Sequence, residues 1–336
     1  MTGFPLSFLM PIDGPLVDAG GTPRFGRHAG YAGRIDWTLL APPHARSAWW
    51  RRFHHKRWQY VALSSPQLFC GIAVVDVGWT STAFAYAFDR AHRRLVAGYS
   101  RDGLPGMGAR VAHGLHEPTR FRFLKERIEF VPLADRGGYR LSLRCGRFAI
   151  DAEMACPPPE QLLLAVGPVD RGAVHATQKS GALACSGTVS TAEGTYGLDG
   201  ATASLDYSNG LLARETSWRW ASAHAPHIGF NLQAGYFGDA ENVLWLDGRM
   251  YPLGAAQFDH DAADPAAAWT IRTADGVLDL HFEPEGWRRE DKDLLVAASR
   301  YLQPIGRFSG EVRLPGMAPR RIADLVGVTE NHFSRW

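Results

Sequence analysis

The strongest constraint on this chain is an alternation of apolar and polar residues with a period of two. In "YRLSLRC", Tyr139, Leu141, Leu143 and Cys145 fall on one side, and Arg140, Ser142 and Arg144 on the other. "RFAIDAEM" repeats the pattern with Phe148, Ile150, Ala152 and Met154, and "VLDLHFE" with Leu278, Leu280 and Phe282. Successive side chains of a strand point to opposite faces, so such runs bury a single face only as β-strands. "LFCGIAVVDVG" and "TSTAFAYAFDR" are apolar throughout and read as central strands. The 36 glycines and 21 prolines supply the tight turns that many short strands need. Helical periodicity is scarce. The best candidate is Ala41 to Trp58, opened by Pro42 and Pro43, with Trp49 and Phe53 along one side. Asp264 to Trp269 reads as one helical turn behind an aspartate cap. The expectation is an all-β chain of antiparallel sandwich or barrel type with few short helices.

A chain of 336 residues is long for one barrel, so two consecutive modules are expected. The turn-rich stretch from Ser190 to Ala203 marks a boundary and divides the chain into 1–200 and 201–336. Hydrophobic residues make up 46% and charged residues 21%, enough apolar material for a real core. With 36 basic and 34 acidic side chains the net charge is +2, which argues against a nucleic-acid partner. The runs "RRFHHKR" and "GWRRED" are short and read as solvated surface. The four cysteines form no Cys-x-x-Cys pair, so neither a zinc ribbon nor a redox motif is spelled. A reduced, cytoplasmic protein is the expectation. The first residues carry no early Lys or Arg and are interrupted by Pro5 and Pro11, a poor pattern for a signal peptide. No apolar run approaches the roughly 18 residues of a spanning helix.

Cofactor signatures are absent: there is no Walker A sequence, no His-Glu-x-x-His and no Gly-x-Ser-x-Gly. "GLPGMGAR" (103–110) lacks a βαβ context and reads as a loop. His224 and His227 lie three apart without a third ligand in view, so no metal site is expected. The densest chemistry is "ASLDYSNGLLARETSWRWAS" (203–222). Folded as a hairpin about a type I′ Asn209-Gly210 turn, it pairs Tyr207 with Leu212, Asp206 with Ala213 and Ser204 with Glu215. One face then gathers Ser204, Asp206, Glu215, Ser217 and Arg219. The other gathers Leu205, Tyr207, Leu212, Thr216, Trp218 and Trp220, with Arg214 as the exception. A regular hairpin makes this an aromatic core under a charged surface, whereas a bulge near Ser208 turns Asp206 inward. A carboxylic acid in an aromatic pocket can keep its proton near neutrality, and aromatic faces stabilise a developing carbocation. His175, Gln178 and Lys179 in "HATQKSGAL", and Asn231 and Gln233 in "GFNLQAGY", are polar groups inside apolar, strand-like runs. Such groups either tie neighbouring strands together or orient a ligand's oxygen.

The segments "KRWQYVALSSPQLFCGIAVVDVGWTSTAFAYAFDR", "HATQKSGALACSGTVS", "ASLDYSNGLLARETSWRWAS", "GFNLQAGY", "ENVLWLDG" and "FEPEGWRREDKDLLVAASRYLQPIGRFSGEV" resemble the bacterial DUF2804 family over nearly the whole chain. More distantly, Asp206-Tyr207-x-x-Gly210 followed by Trp218-x-Trp220 resembles the Asp-His-x-x-Gly…Trp-x-Trp signature of the lipocalin-like AttH and carotenoid-hydratase (CrtC) group. The chain departs from that signature at Tyr207, where His is common, and at Asn209, where Trp is common. The resemblance implies two consecutive lipocalin-like modules and a large hydrophobic ligand handled without an organic cofactor. The leading expectation is a lyase, hydratase, cyclase or isomerase of a terpenoid or lipid. In it Asp206 is the proton donor beside Tyr207, and Trp218, Trp220, Asn231, Gln233, His175 and Lys179 line the pocket. The rivals are a non-catalytic lipid or isoprenoid carrier and a structural protein with filled barrels.

Overall fold

The computed structural model describes residues 9–12, 14–103, 107–134, 137–294 and 297–336, apart from the Leu294 side chain. The chain is nearly all β, as the alternation requires. One α-helix is present among the described residues, Ala48–His54, shorter than the Ala41 to Trp58 expected. Ser47 starts it by accepting a hydrogen bond from Trp50 N at 3.2 Å. It stops where His55–Ser64 is drawn into a sheet, and pairing with Ala201–Leu211 overrides local helix propensity. Asp264 does cap a turn, accepting from Ala266 N at 2.9 Å, but no helix follows. The Gly-rich stretch 103–110 lies partly outside the described residues, and Ala109–Arg110 within it is a short strand. No described helix is long and apolar enough to cross a membrane.

By backbone contacts the chain divides into Pro11–Arg214 and a second unit containing Glu215–Trp336. In the first, Ala201–Leu211 is the hub of a large antiparallel sheet. One edge pairs along its length with His55–Ser64, from which Leu68–Asp76, Ser81–Asp89 and Arg94–Gly103 follow. Its other edge is shared by Val174–Ser180 and Leu183–Thr191. Beyond Leu183–Thr191 come Phe148–Ala155, Gly138–Cys145, Glu126–Leu133 and Thr119–Phe123. The sheet curls until Ser81 meets the far end: its Oγ donates to Met107 O at 3.1 Å and accepts from Ala109 N at 3.3 Å. Val61, Ile72 and Ala85 of one arm thereby pack in one core with Phe121, Phe130, Leu141 and Ile150 of the other. Leu141 and Ile150 are among the alternating apolar positions read from the sequence, and Ile72 and Ala85 come from the two runs read as central strands.

The second unit is a nine-stranded antiparallel sheet with three long central strands, Leu278–Leu294, Ala297–Val312 and Arg320–Arg335. Glu215–Ala225 and Ile228–Gly235 continue it on one side. One face carries an apolar core in which Phe230 and Phe308 meet edge to face at 5.0 Å between centroids. The opposite face of the same strands is also buried over much of its area but bears polar side chains, including Gln233, Gln303 and Glu330. A half-buried sheet normally exposes its second face.

Candidate functional site

Asn209-Gly210 is not a hairpin turn. Both residues lie inside Ala201–Leu211, paired on one side with Ala176 and His175 and on the other with Arg57 and Lys56. Neither has the positive φ that a type I′ turn requires. Gly210 serves close approach instead: a Cβ there would stand 2.4 Å from His175 Nδ1. The register of this strand is regular, so no bulge turns Asp206 toward Tyr207. Trp218 and Trp220 belong to the nine-stranded sheet, not to the sheet of Tyr207.

On the outer face of the first sheet, Asp206 forms an ion pair with Lys179, directly opposite in register; their side chains are 14% and 5% exposed. Next along, Ser208 Oγ donates to Thr177 Oγ1 at 3.0 Å. His175 stacks on Trp58 at 5.6 Å, and burial together with the Lys179 charge lowers its pKa to about 3, so the ring is neutral. Lys56 on the same face is also buried, its pKa lowered to about 7 mainly by desolvation, and Nζ donates to Phe53 O and Val77 O, each at 2.7 Å.

Tyr207 faces the core. Burial raises its phenol above the ordinary value. The hydroxyl donates to Ala112 O at 3.0 Å and accepts from Asn209 Nδ2 at 3.1 Å. Asn209 Oδ1 accepts from Trp37 Nε1 at 2.9 Å. An indole N–H can only donate, so the Asn209 amide has one orientation.

The nine-stranded sheet gathers the other expected residues. Trp220, Gln233 and Glu330 are register partners and share the polar face, as do Trp218 and His332. Trp220 Nε1 donates to Asn231 Oδ1 at 2.8 Å, and Asn231 Nδ2 donates to Glu241 O at 2.9 Å. Glu330 is the hub: Trp218 Nε1 reaches Oε1 at 2.8 Å and Gln303 Nε2 reaches Oε2 at 2.9 Å. His332 Nδ1 lies 3.3 Å from Oε1 and its Nε2 lies 2.7 Å from Ser334 Oγ, and its ring packs on Trp218 at 4.1 Å. Arg288, 8% exposed, sits over the Tyr301 ring at 4.8 Å. Gln233 is 1% exposed, yet neither its amide nitrogen nor its amide oxygen has a hydrogen-bond partner among the described residues. Buried amides are almost always satisfied, which sets this one apart from Asn231 on the same face. The His224 ring, its pKa lowered to about 3 by burial, bonds Ser222 Oγ at 2.9 Å. No described group of three or more metal-ligating residues is present.

Sequence reasoning missed Glu330, Gln303, His332 and Arg288. "TENHFSR" (329–335) alternates as an ordinary exposed strand does, and nothing local says that its polar face is buried. The one local signal is the concentration of polar and titratable side chains at alternate positions: Glu330, His332 and Ser334.

This architecture is that of proteins built from two lipocalin-like β-modules. A putative AttH from Nitrosomonas europaea aligns over 88% of this chain and 98% of its own, with a TM-score of 0.54 at 14% identity. Kievitone hydratase from Nectria haematococca aligns over 93% and 98%, with a TM-score of 0.53 at 9% identity. CghA with Sch210972 aligns over 98% and 99%, with a TM-score of 0.57 at 9% identity. At these identities the likeness is one of fold. The chain belongs to the family described as Domain of unknown function (DUF2804), which it matches over residues 12–336. No curated protein sequence matches it.

Proposed function

We propose that this protein is an acid–base enzyme of the hydratase, dehydratase, cyclase or isomerase type that acts on a hydrophobic terpenoid or lipid without an organic cofactor. The reacting centre is the buried polar face of the nine-stranded sheet. The observation that carries this reading is the Gln233 amide, buried and without a partner among the described residues, in register beside Trp220 on the face that also holds Glu330. The amide holds the substrate's oxygen. Trp218 and Trp220 supply aromatic surface, and their π-faces stabilise positive charge as it develops. Glu330 is the proton-transfer group, held in place by Trp218 and Gln303. In hydration, the Glu330 carboxyl gives its proton to one carbon of a double bond, and water adds at the other. The added water then returns a proton to the carboxylate, so Glu330 is restored and one water is gained; dehydration runs in reverse. The kinship of fold with kievitone hydratase supports this class of chemistry.

Under this reading the acid–base role moves from Asp206 to Glu330. Asp206 instead holds the buried Lys179 ammonium in the other sheet. The test is incubation of the purified protein with terpenoid alcohols, polyenes and unsaturated fatty acids in deuterated water, with products read by mass spectrometry. Deuterium at carbon is expected from the wild type and not from a folded Glu330→Gln variant. Equal incorporation by both would overturn the assignment of Glu330. No incorporation from any substrate, with an unchanged lipid extracted from the protein, would make it a carrier.

A further inference from the structure

The first unit has a cleft that the function above does not use. At one end of the curled sheet this cleft of about 340 Å³ is lined by Arg51, Arg52, His55, Arg57, Asp76 and neighbouring residues. The lining thus includes three arginines and one aspartate. That carboxylate is fully engaged: Asp76 Oδ2 accepts from Arg57 Nη2 at 2.6 Å and Oδ1 from Gly78 N at 2.8 Å. Arg57 is engaged as well, its Nη1 donating to His113 Nε2 at 2.8 Å. Arg51 gives Nη1 to Arg46 O at 2.6 Å, and Arg52 is exposed with no partner among the described residues. The cleft therefore carries uncompensated positive charge in a partly enclosed recess, which favours an anion.

His55 adds a finer selection. The orientation of Asn209 is fixed by Trp37, so Oδ1 is the atom that faces His55 Nε2 at 2.8 Å. The imidazole must donate there, and its proton is on Nε2. Burial and the Arg57 charge lower the His55 pKa to about 4, so the ring is neutral at physiological pH. Nδ1 is then a bare lone pair on a side chain that lines the cleft, with no partner among the described residues. A lone pair accepts hydrogen bonds and repels a fully deprotonated oxygen. The site thus suits an anion that still carries a proton.

We propose that this cleft binds a phosphate monoester, with Arg51 and Arg52 on its charged oxygens and its P–OH donated to His55 Nδ1. Sulfate has the same shape and charge-bearing oxygens but no proton to donate, so the site discriminates against it. The volume of the cleft exceeds that of a phosphate alone and leaves room for the organic part of the ester.

The experiment is titration calorimetry on the full chain at pH 6, close to the second phosphate pKa of about 6, with glycerol 3-phosphate, inorganic phosphate and sulfate at equal ionic strength. Saturable binding of the ester is expected, tighter than inorganic phosphate and on the order of tenfold tighter than sulfate. Arg52→Ala, which removes an exposed side chain without touching the core, should weaken the ester on the order of tenfold. The His55 Nδ1 nitrogen resonance should shift with the ester and not with sulfate. Sulfate binding as tightly as the ester, an unchanged Arg52→Ala affinity, or no binding up to about 10 mM would each overturn the proposal. Inorganic phosphate binding more tightly than the ester would overturn the assignment of an ester.

Discussion

Tyr207→Phe removes one oxygen atom and leaves the ring, so it isolates the hydroxyl. That hydroxyl donates to Ala112 O, accepts from Asn209 Nδ2, and belongs to a fully buried residue. Two buried hydrogen bonds are lost, each with a net worth of about 1 kcal/mol. A carbonyl and an amide N–H also lose a partner out of contact with water, which adds further cost. Together the change should destabilise the first unit by about 3 kcal/mol. A unit of this size loses roughly 2–4 °C of melting temperature per kcal/mol, so a fall of about 6–12 °C is expected. Urea and thermal denaturation of the wild type, Tyr207→Phe, Asn209→Ala and the double variant measure it. In one connected network the two losses should be non-additive by at least about 0.5 kcal/mol. A loss for Tyr207→Phe below about 0.5 kcal/mol, or strict additivity, would refute the network and return Tyr207 to the candidates for chemistry.

Asp206→Asn removes the carboxylate that pairs with a Lys179 ammonium 5% exposed and should destabilise by about 3 kcal/mol. Asp206→Asn with Lys179→Met should recover most of that; urea midpoints decide, and a neutral single variant would show that the pair is not structural. Stability should also fall with acid. His55, His175 and His224 take a proton at about 4, about 3 and about 3 in the folded chain, against 6.5 for an ordinary histidine. Between those values the unfolded chain binds more protons, so folding stability is full above pH 6.5 and declines as the pH drops toward 4. The slope is up to about 1.4 kcal/mol per pH unit for each histidine. His224→Gln should flatten the profile by one histidine's share, and an unchanged slope would count against a neutral buried ring.

Several features of the site are legible in the sequence alone. The period of two correctly puts Tyr207 and Asp206 on opposite faces, and it marks Asn231 and Gln233 as neighbours on one face of a strand. Asn209-Gly210 misleads because a dipeptide that favours a turn also serves inside a strand. Here Asn209 is held by an indole 172 positions away, and Gly210 clears room for His175. Glu330 is invisible at that level because its significance comes from Trp218 and Gln303, 112 and 27 residues distant.

By itself, the sequence determined which residues alternate, hence that the chain is β and which side chains share a face within each strand. That information is local, because the backbone geometry of a strand imposes it residue by residue. Only the tertiary structure decided which strands lie side by side, and whether a polar face is exposed or buried. Pairing partners are chosen by non-local hydrogen bonding and core packing. It was the pairing of Glu215–Ala225 with Arg320–Arg335, and the burial of their polar face, that made a row of ordinary-looking residues a candidate site.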